Sequence, residues 1–306
     1  MNAARIRIHR IRSSLPTKCH QTCRCGIQRT ILICGFSTAR MPSNKVAGTR
    51  RCAVASGDQS MNVLLIGGAG HVGTMTLPYM KSHHNFRVLD LNPPKDDSVE
   101  YIQGSVTDPD IVQEALKGMD TFVYMVMLQP TSDRSSVADF SDIVANYEVN
   151  AKGLHIVLHA AKEMGIRHAV YTSTFTVHER TRNSFPYEDV VPRDNPGVYG
   201  LTKGFGEQIC EYFSREHGMS LIALRITGPS TREQWLERYA QPKDSSVHIW
   251  WTDEEDLARA YLAAISVEHE GFDAFFIAGD HEQKEINLSK AKRLLGWEPL
   301  THTLVR

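Results

Sequence analysis

The chain has 306 residues, 42% hydrophobic and 23% charged, with a formal net charge of −1. That balance suits one large globular domain or two modest ones, and it gives no electrostatic case for a nucleic-acid or membrane partner. No apolar run approaches the ~20 residues that a membrane-spanning helix needs. Charge is unevenly spread: residues 1–60 hold eleven Lys or Arg and a single acid, Asp58. The same stretch holds Cys19, Cys23, Cys25, Cys34 and Cys52, leaving only Cys210 beyond it. A remainder so poor in cysteine fits a reducing, cytoplasmic compartment. The first sixty residues are Arg-rich, acid-poor and aperiodic. They read as a disordered basic extension, or alternatively as an organelle transit peptide, which would change the compartment. Zinc sites show two separated cysteine pairs, which Cys19-x3-Cys23-x-Cys25 does not supply, so no metal is expected.

Order begins at Met61. Val63, Leu64, Leu65 and Ile66 form a short apolar run that predicts a buried strand. Gly67, Gly70 and Gly73 follow at G-x-x-G-x-x-G spacing, and a helical pattern opens behind them through His71 and Val72. In a strand–turn–helix the glycines allow a tight turn, a close approach to a diphosphate and close helix packing. The diphosphate then meets N–H groups at the positive end of the helix. That helix is expected to reach about Ser82, with Pro78 as a kink or early end. Residues 86–89 make the second strand, and Asp90 closes it. Asp90 lies about 20 residues past the glycines, where a carboxylate can accept both ribose hydroxyls of NAD and would repel the 2′-phosphate of NADP.

Tyr101–Ile102 predicts a third strand, left through Ser105, Val106 and Asp108 into a helix over 111–117. Thr121–Met127 predicts the fourth strand, 137–164 a long helical region with Gly153 as a possible interruption, and Ala169–Thr174 the fifth strand. Strands alternating with helices mean an α/β fold with a doubly wound parallel sheet, whose ligands gather at the carboxyl ends of the strands.

Tyr199 and Lys203 stand four apart in YGLTK, on one face of a predicted helix. An ammonium beside a phenol stabilises the phenolate, so Tyr199 can exchange a proton with a substrate hydroxyl near neutral pH. Lys203 can also hold the nicotinamide ribose. Thr174 is chosen to orient the substrate oxygen, with Ser173 in support. His168, His178 and the pair His83–His84 lack metal-ligand spacing and read as structural, and Cys210 reads as a buried helix residue.

With these pieces in place, the chain from Met61 resembles the extended short-chain dehydrogenase/reductase family, the NAD-dependent epimerase/dehydratase group. The likeness is carried by the glycine loop, Asp90, Asn150 in VNAKG, YTST, YGLTK, LRITGP at 224–229, TDEEDLARA at 252–260 and SKAKRLLGWEP at 289–299. It implies a Rossmann domain over 61–226 and a small substrate lobe over 227–306. It implies hydride transfer at a sugar carbon through Thr174, Tyr199 and Lys203, adenine contacts from Ser105 and Val106, and a homodimer. Ser105 replaces the Asp usual there, and YMVM replaces HLAA after strand four. About twenty residues separate Pro229 from Trp251, which suits a free sugar better than a nucleotide sugar. Within the family the chain looks most like uronate dehydrogenases, which implies Arg225 as the partner of a substrate carboxylate. Phe175-Thr176 stands where those enzymes have Asn-His. The function expected is NAD-dependent oxidation of a small sugar or sugar acid. The alternatives are a nucleotide-sugar epimerase or dehydratase and a non-catalytic dinucleotide sensor, which Tyr199 and Lys203 oppose.

Overall fold

The computed structural model describes residues 60–128, 139–179, 181–240 and 250–305. The basic, cysteine-bearing segment read as a disordered or transit extension lies outside the described residues. Strand β1 (Asn62–Ile66) alternates its side chains between two cores: Val63 and Leu65 join one apolar cluster, Leu64 and Ile66 the other. A strand buried on both faces must sit mid-sheet with helices on either side, which is why its sequence is a continuous apolar run.

The other strands of the sheet are β2 (Asn85–Asp90), β3 (Glu100–Gln103), β4 (Thr121–Tyr124), β5 (His168–Thr174), β6 (Ser220–Ile226) and β9 (Phe272–Ile277). They pair in the order β3-β2-β1-β4-β5-β6-β9, every pairing parallel. One face is covered by α1 (His71–Met80) and α7 (Glu254–Ser266), the other by α2 (Pro109–Leu116), α4 (Leu154–Glu163) and α5 (Val198–His217). Two short strands, β7 (Pro229–Ser230) and β8 (Thr252–Asp253), pair separately beside α6 (Arg232–Tyr239). Helix α8 (Ser289–Leu294) is the last α-helix described. The sheet therefore continues past residue 226: α7 and β9, from the stretch expected to form a separate lobe, build its seventh strand and its cover.

Three elements differ from their predicted extents. Helix α1 runs through Pro78, which removes a single helical N–H near its end, and Lys81 N–H still bonds Leu77 O at 3.0 Å. Strand β4 stops at Tyr124 rather than Met127. Met125 N–H reaches Ile66 O at 2.7 Å, and Val126 is then drawn against Gly67. The long helical region divides into α3 (Phe140–Tyr147), a wider π-helical stretch Glu148–Gly153, and α4. Residues 129–138, including the start expected for that region, lie outside the described residues. Gly153 is the tight point, since a Cβ there would sit 2.6 Å from Val106 Cγ2.

Candidate active site

The glycine loop opens at Gly67, whose φ of +82° and closeness to Val126 admit no side chain. A Cβ on Gly73 would sit 2.1 Å from Gly68 O, so α1 begins jammed against the turn that precedes it. Gly70 caps α1 without a side-chain bond, and no acid stands in the first turn. The N–H groups of His71, Val72 and Gly73 belong to that first turn, which has no intrahelical acceptors. An uncapped, glycine-lined helix start of this kind fits a diphosphate. Of the loop residues, Gly70 and His71 are exposed, whereas Val72 is buried in the core.

At the end of β2, Asp90 is half-buried beside the loop. Its Oδ2 accepts from Ala69 N–H at 3.0 Å and its Oδ1 from Asn92 N–H at 3.2 Å. Each oxygen keeps a further lone pair for a ribose hydroxyl. Ser105 Oγ lies 2.8 Å from Thr107 Oγ1 and accepts from Thr107 N–H at 3.2 Å, and Val106 packs in the core beside Gly153. Both follow β3, at the same carboxyl edge.

Helix α5 carries the titrating groups. Its close seat on the sheet is set by glycines: a Cβ on Gly200 would meet Thr176 O at 2.2 Å, and one on Gly206 would meet Tyr171 Oη at 2.2 Å. Tyr199 stands half-buried in the first turn. Burial pushes the phenols of Tyr171 and Tyr261 up, and the nearby Tyr199 adds to both. One turn on, Lys203 is only 1% exposed. Its Nζ donates to Val126 O at 2.9 Å and Thr172 O at 3.0 Å and lies 5.0 Å from the centre of the Tyr171 ring. Burial pushes this ammonium down to about 7, against opposing pulls from Cys210 and Glu207. Thr174, at the end of β5, accepts from Thr176 N–H at 3.1 Å and caps the single turn Phe175–Val177. The glycine loop, Asp90, Ser105, Thr174 and the start of α5 thus share the carboxyl edge of one parallel sheet.

A buried ionic network lies below. Glu207, wholly buried one turn past Lys203, accepts Ser173 Oγ–H at 2.5 Å and a two-pronged fork from Arg225, Nε at 2.9 Å and Nη2 at 2.7 Å. Burial alone would raise the Glu207 carboxyl, but the fork wins and holds it below its ordinary value. Arg193 adds a third contact at 3.2 Å. Arg225 Nη1 also donates to Glu188 O at 2.9 Å and approaches His178 Nε2 at 3.4 Å. His178, pushed down to about 4 by burial, is neutral and sits 2.7 Å from Pro192 O through Nδ1. Arg225, expected to meet a substrate carboxylate, is 4% exposed, and its guanidinium is bonded to Glu207. Phe175, which stands where uronate dehydrogenases have Asn, is buried among Phe185, Trp250 and Phe276. Glu207 went unread in the sequence, although it continues the Tyr199–Lys203 stripe at the same four-residue step.

A sequence model of the NAD dependent epimerase/dehydratase family matches residues 63–277. An NAD-dependent glucose-6-phosphate dehydrogenase of Haloferax volcanii is 22% identical over 258 residues, 78% of this chain and 92% of that one. An L-arabinose 1-dehydrogenase of the same organism is 25% identical over 252 residues, 78% of this chain and 95% of that one. A solved uronate dehydrogenase of Agrobacterium tumefaciens, a tyrosine-to-alanine mutant complexed with NAD, superposes with a TM-score of 0.66 at 20% identity, covering 81% of this chain and 88% of its own. The family match spans the glycine loop, the α5 stripe and every strand of the parallel sheet, so the chain belongs to the NAD dependent epimerase/dehydratase family, an NAD-dependent enzyme of the short-chain dehydrogenase/reductase type.

Proposed function

We propose that the protein oxidises a hydroxyl of a small sugar or sugar acid, with NAD as acceptor and Tyr199 as general base. The observation that carries this is the buried Lys203 ammonium one helical turn from Tyr199, held between two carbonyls. A cation so placed favours the phenolate. Thr174 orients the substrate oxygen, and Ser173 supports it from Glu207. NAD, when bound, supplies the hydride acceptor. Its diphosphate is held at Gly67, Gly70, His71, Val72 and Gly73, its ribose by Asp90 and Lys203, and its adenine beside Ser105 and Val106. The small-sugar reading is supported by the short segment between Pro229 and Trp251 and by two curated relatives that are sugar or sugar-phosphate dehydrogenases. The substrate-facing part of 227–306 is β7, α6 and β8.

The test is a panel of free aldoses, uronates and sugar phosphates with NAD and with NADP, read at the nicotinamide absorbance. Reduction with NAD that is lost about 10²- to 10⁴-fold in Tyr199→Phe, with NADH affinity retained, is the expected result. Family membership also favours a second reading, a nucleotide-sugar epimerase or dehydratase. Tightly retained NAD and turnover without net NADH would establish that reading instead.

We also propose a homodimer in the cytoplasm. Phe140 is 89% exposed on α3, with Val144 and Tyr147 beyond it, and α5 exposes Leu201 and Tyr212. Light scattering that finds only monomer at micromolar concentration would refute the dimer.

A further inference from the structure

His71 is the first residue of α1, follows the uncapped Gly70 and is exposed. Its Nε2 lies 3.3 Å from Pro229 O. A carbonyl only accepts, so Nε2 carries a hydrogen. That leaves Nδ1 as the ring atom whose state can change: with a lone pair it accepts, and with a second proton it donates. Nδ1 is bonded to Cγ, so it stays on the side of the ring nearer the helix start.

Pro229 is a firm anchor for the ring. It lies in β7, paired with Thr252 of β8, and Thr252 N–H donates to Gly228 O at 3.2 Å. Gly228, with φ of +31°, packs so closely that a Cβ would be 2.4 Å from Trp250 O. Ser230, fully buried, donates to Gly228 O at 2.9 Å and accepts from Arg238 Nη1 at 3.0 Å. The Arg238 guanidinium carbon lies in turn 3.5 Å from the centre of the Trp251 ring. Near its other end α1 is tied to the residue after β8, Tyr79 Oη donating to Glu254 Oε1 at 2.9 Å.

The charges around His71 are few. Helix α1 holds no acid and no other base, and its one other titrating side chain is Tyr79. The glycine loop and β7 are uncharged. Asp90 closes β2 and accepts from Ala69 and Asn92 N–H. On α6, Arg232 is paired with Asp253 and Glu255, and Arg238 is bonded to Ser230. No carboxylate among the described residues is bonded to His71, so nothing there rewards a second proton on the ring. The positive end of a helix also disfavours a cation. A diphosphate at the same helix start reverses that sign and turns the second proton into a charge-assisted hydrogen bond.

We propose that the His71 side chain is a titrating ligand of the dinucleotide: the diphosphate draws a proton from solvent onto Nδ1, which donates to a phosphate oxygen while Nε2 keeps Pro229 O. This rests on the reading of the glycine loop as the diphosphate site and adds a pH control to it. A group protonated more readily in the complex adds affinity that is complete at low pH and is lost as pH rises through its titration in the complex.

The experiment measures NADH, ADP-ribose and adenosine affinity by calorimetry from pH 6 to pH 9, in wild type, His71→Phe and His71→Gln. ADP-ribose carries the diphosphate without the nicotinamide, and adenosine carries neither. Wild-type affinity for NADH and ADP-ribose should fall about 10- to 100-fold across that range, with proton uptake seen in buffers of different ionisation enthalpy. Both variants should bind about as weakly at every pH as wild type does at pH 9, without proton uptake. Glutamine keeps a donor for Pro229 O but takes no second proton, and it carries the comparison if His71→Phe does not fold. Adenosine affinity should not change with pH. A wild type indifferent to pH, a pH dependence that either variant retains, or one that adenosine shares overturns the proposal. So does an equal loss of affinity at every pH, the mark of a purely structural tie to Pro229. Wild type that binds neither NADH nor ADP-ribose at any pH fells the dinucleotide reading itself.

Discussion

Replacing Lys203 with Met should leave the protein about 4 kcal/mol better off at pH 6 than at pH 10, where it destabilises, and abolish its activity at either. The fall of the Lys203 ammonium from 10.5 to about 7 is a free-energy difference of about 5 kcal/mol, at 1.36 kcal/mol per tenfold. Because the folded-state value is the lower one, the unfolded chain binds the extra proton between pH 7 and 10.5, and stability from this group rises with pH across that window. Below pH 7 the full cost of the buried charge is present. At pH 10 about 1 kcal/mol of it remains, because the folded protein then holds the amine neutral.

Methionine fills similar volume and removes the cost, but it strips the donors from Val126 O and Thr172 O. Each unpaired carbonyl costs about 1–3 kcal/mol. The net at pH 6 runs from a loss of about 1 to a gain of about 3 kcal/mol, and at pH 10 it is a loss of about 1–5 kcal/mol. Urea unfolding of both proteins at the two pH values measures the difference, and other titrating groups cancel in it. A Lys203→Met protein that loses the same stability at pH 6 and pH 10 would refute the reasoning, because Lys203 would then not be carrying a buried charge. Retained turnover would separately refute the role given to that charge.

Two other perturbations follow from the same geometry. Glu207→Gln leaves Arg225 buried with no anionic partner and should cost about 3–5 kcal/mol in urea unfolding, whereas the paired change Glu207→Leu with Arg225→Met should recover most of that loss. Gly73→Ala places a methyl 2.1 Å from Gly68 O and must push α1 off the turn; a loss of about 1–3 kcal/mol and at least tenfold in NADH affinity by fluorescence is expected.

What the sequence disclosed about the site depended on whether a residue's partners are local. The strand–glycine–helix unit is a single stretch of chain, so the turn at Gly67 and the close packing at Gly73 were readable from spacing alone. The step from Tyr199 to Lys203 is fixed by helical periodicity, and the alternation of strands and helices forecast the parallel sheet. Arg225 misled because an arginine's role is set by what lies across from it. Its partner Glu207 is on a helix that precedes β6, and only the packed fold shows that the two are bonded. Arg238 gave no signal for the converse reason. In REQWLERY it looks like one more charge on a solvated helix face, and the indole that holds it comes from beyond residues 241–249. The extent of the sheet was hidden in the same way: β9 pairs with β6 across some fifty residues that include α6 and α7, and nothing near 272–277 names that neighbour. A charge's function is therefore legible only once its counter-charge is located. In this protein Arg225 is bonded to Glu207, whereas Arg238 stacks on Trp251 and meets no carboxylate among the described residues.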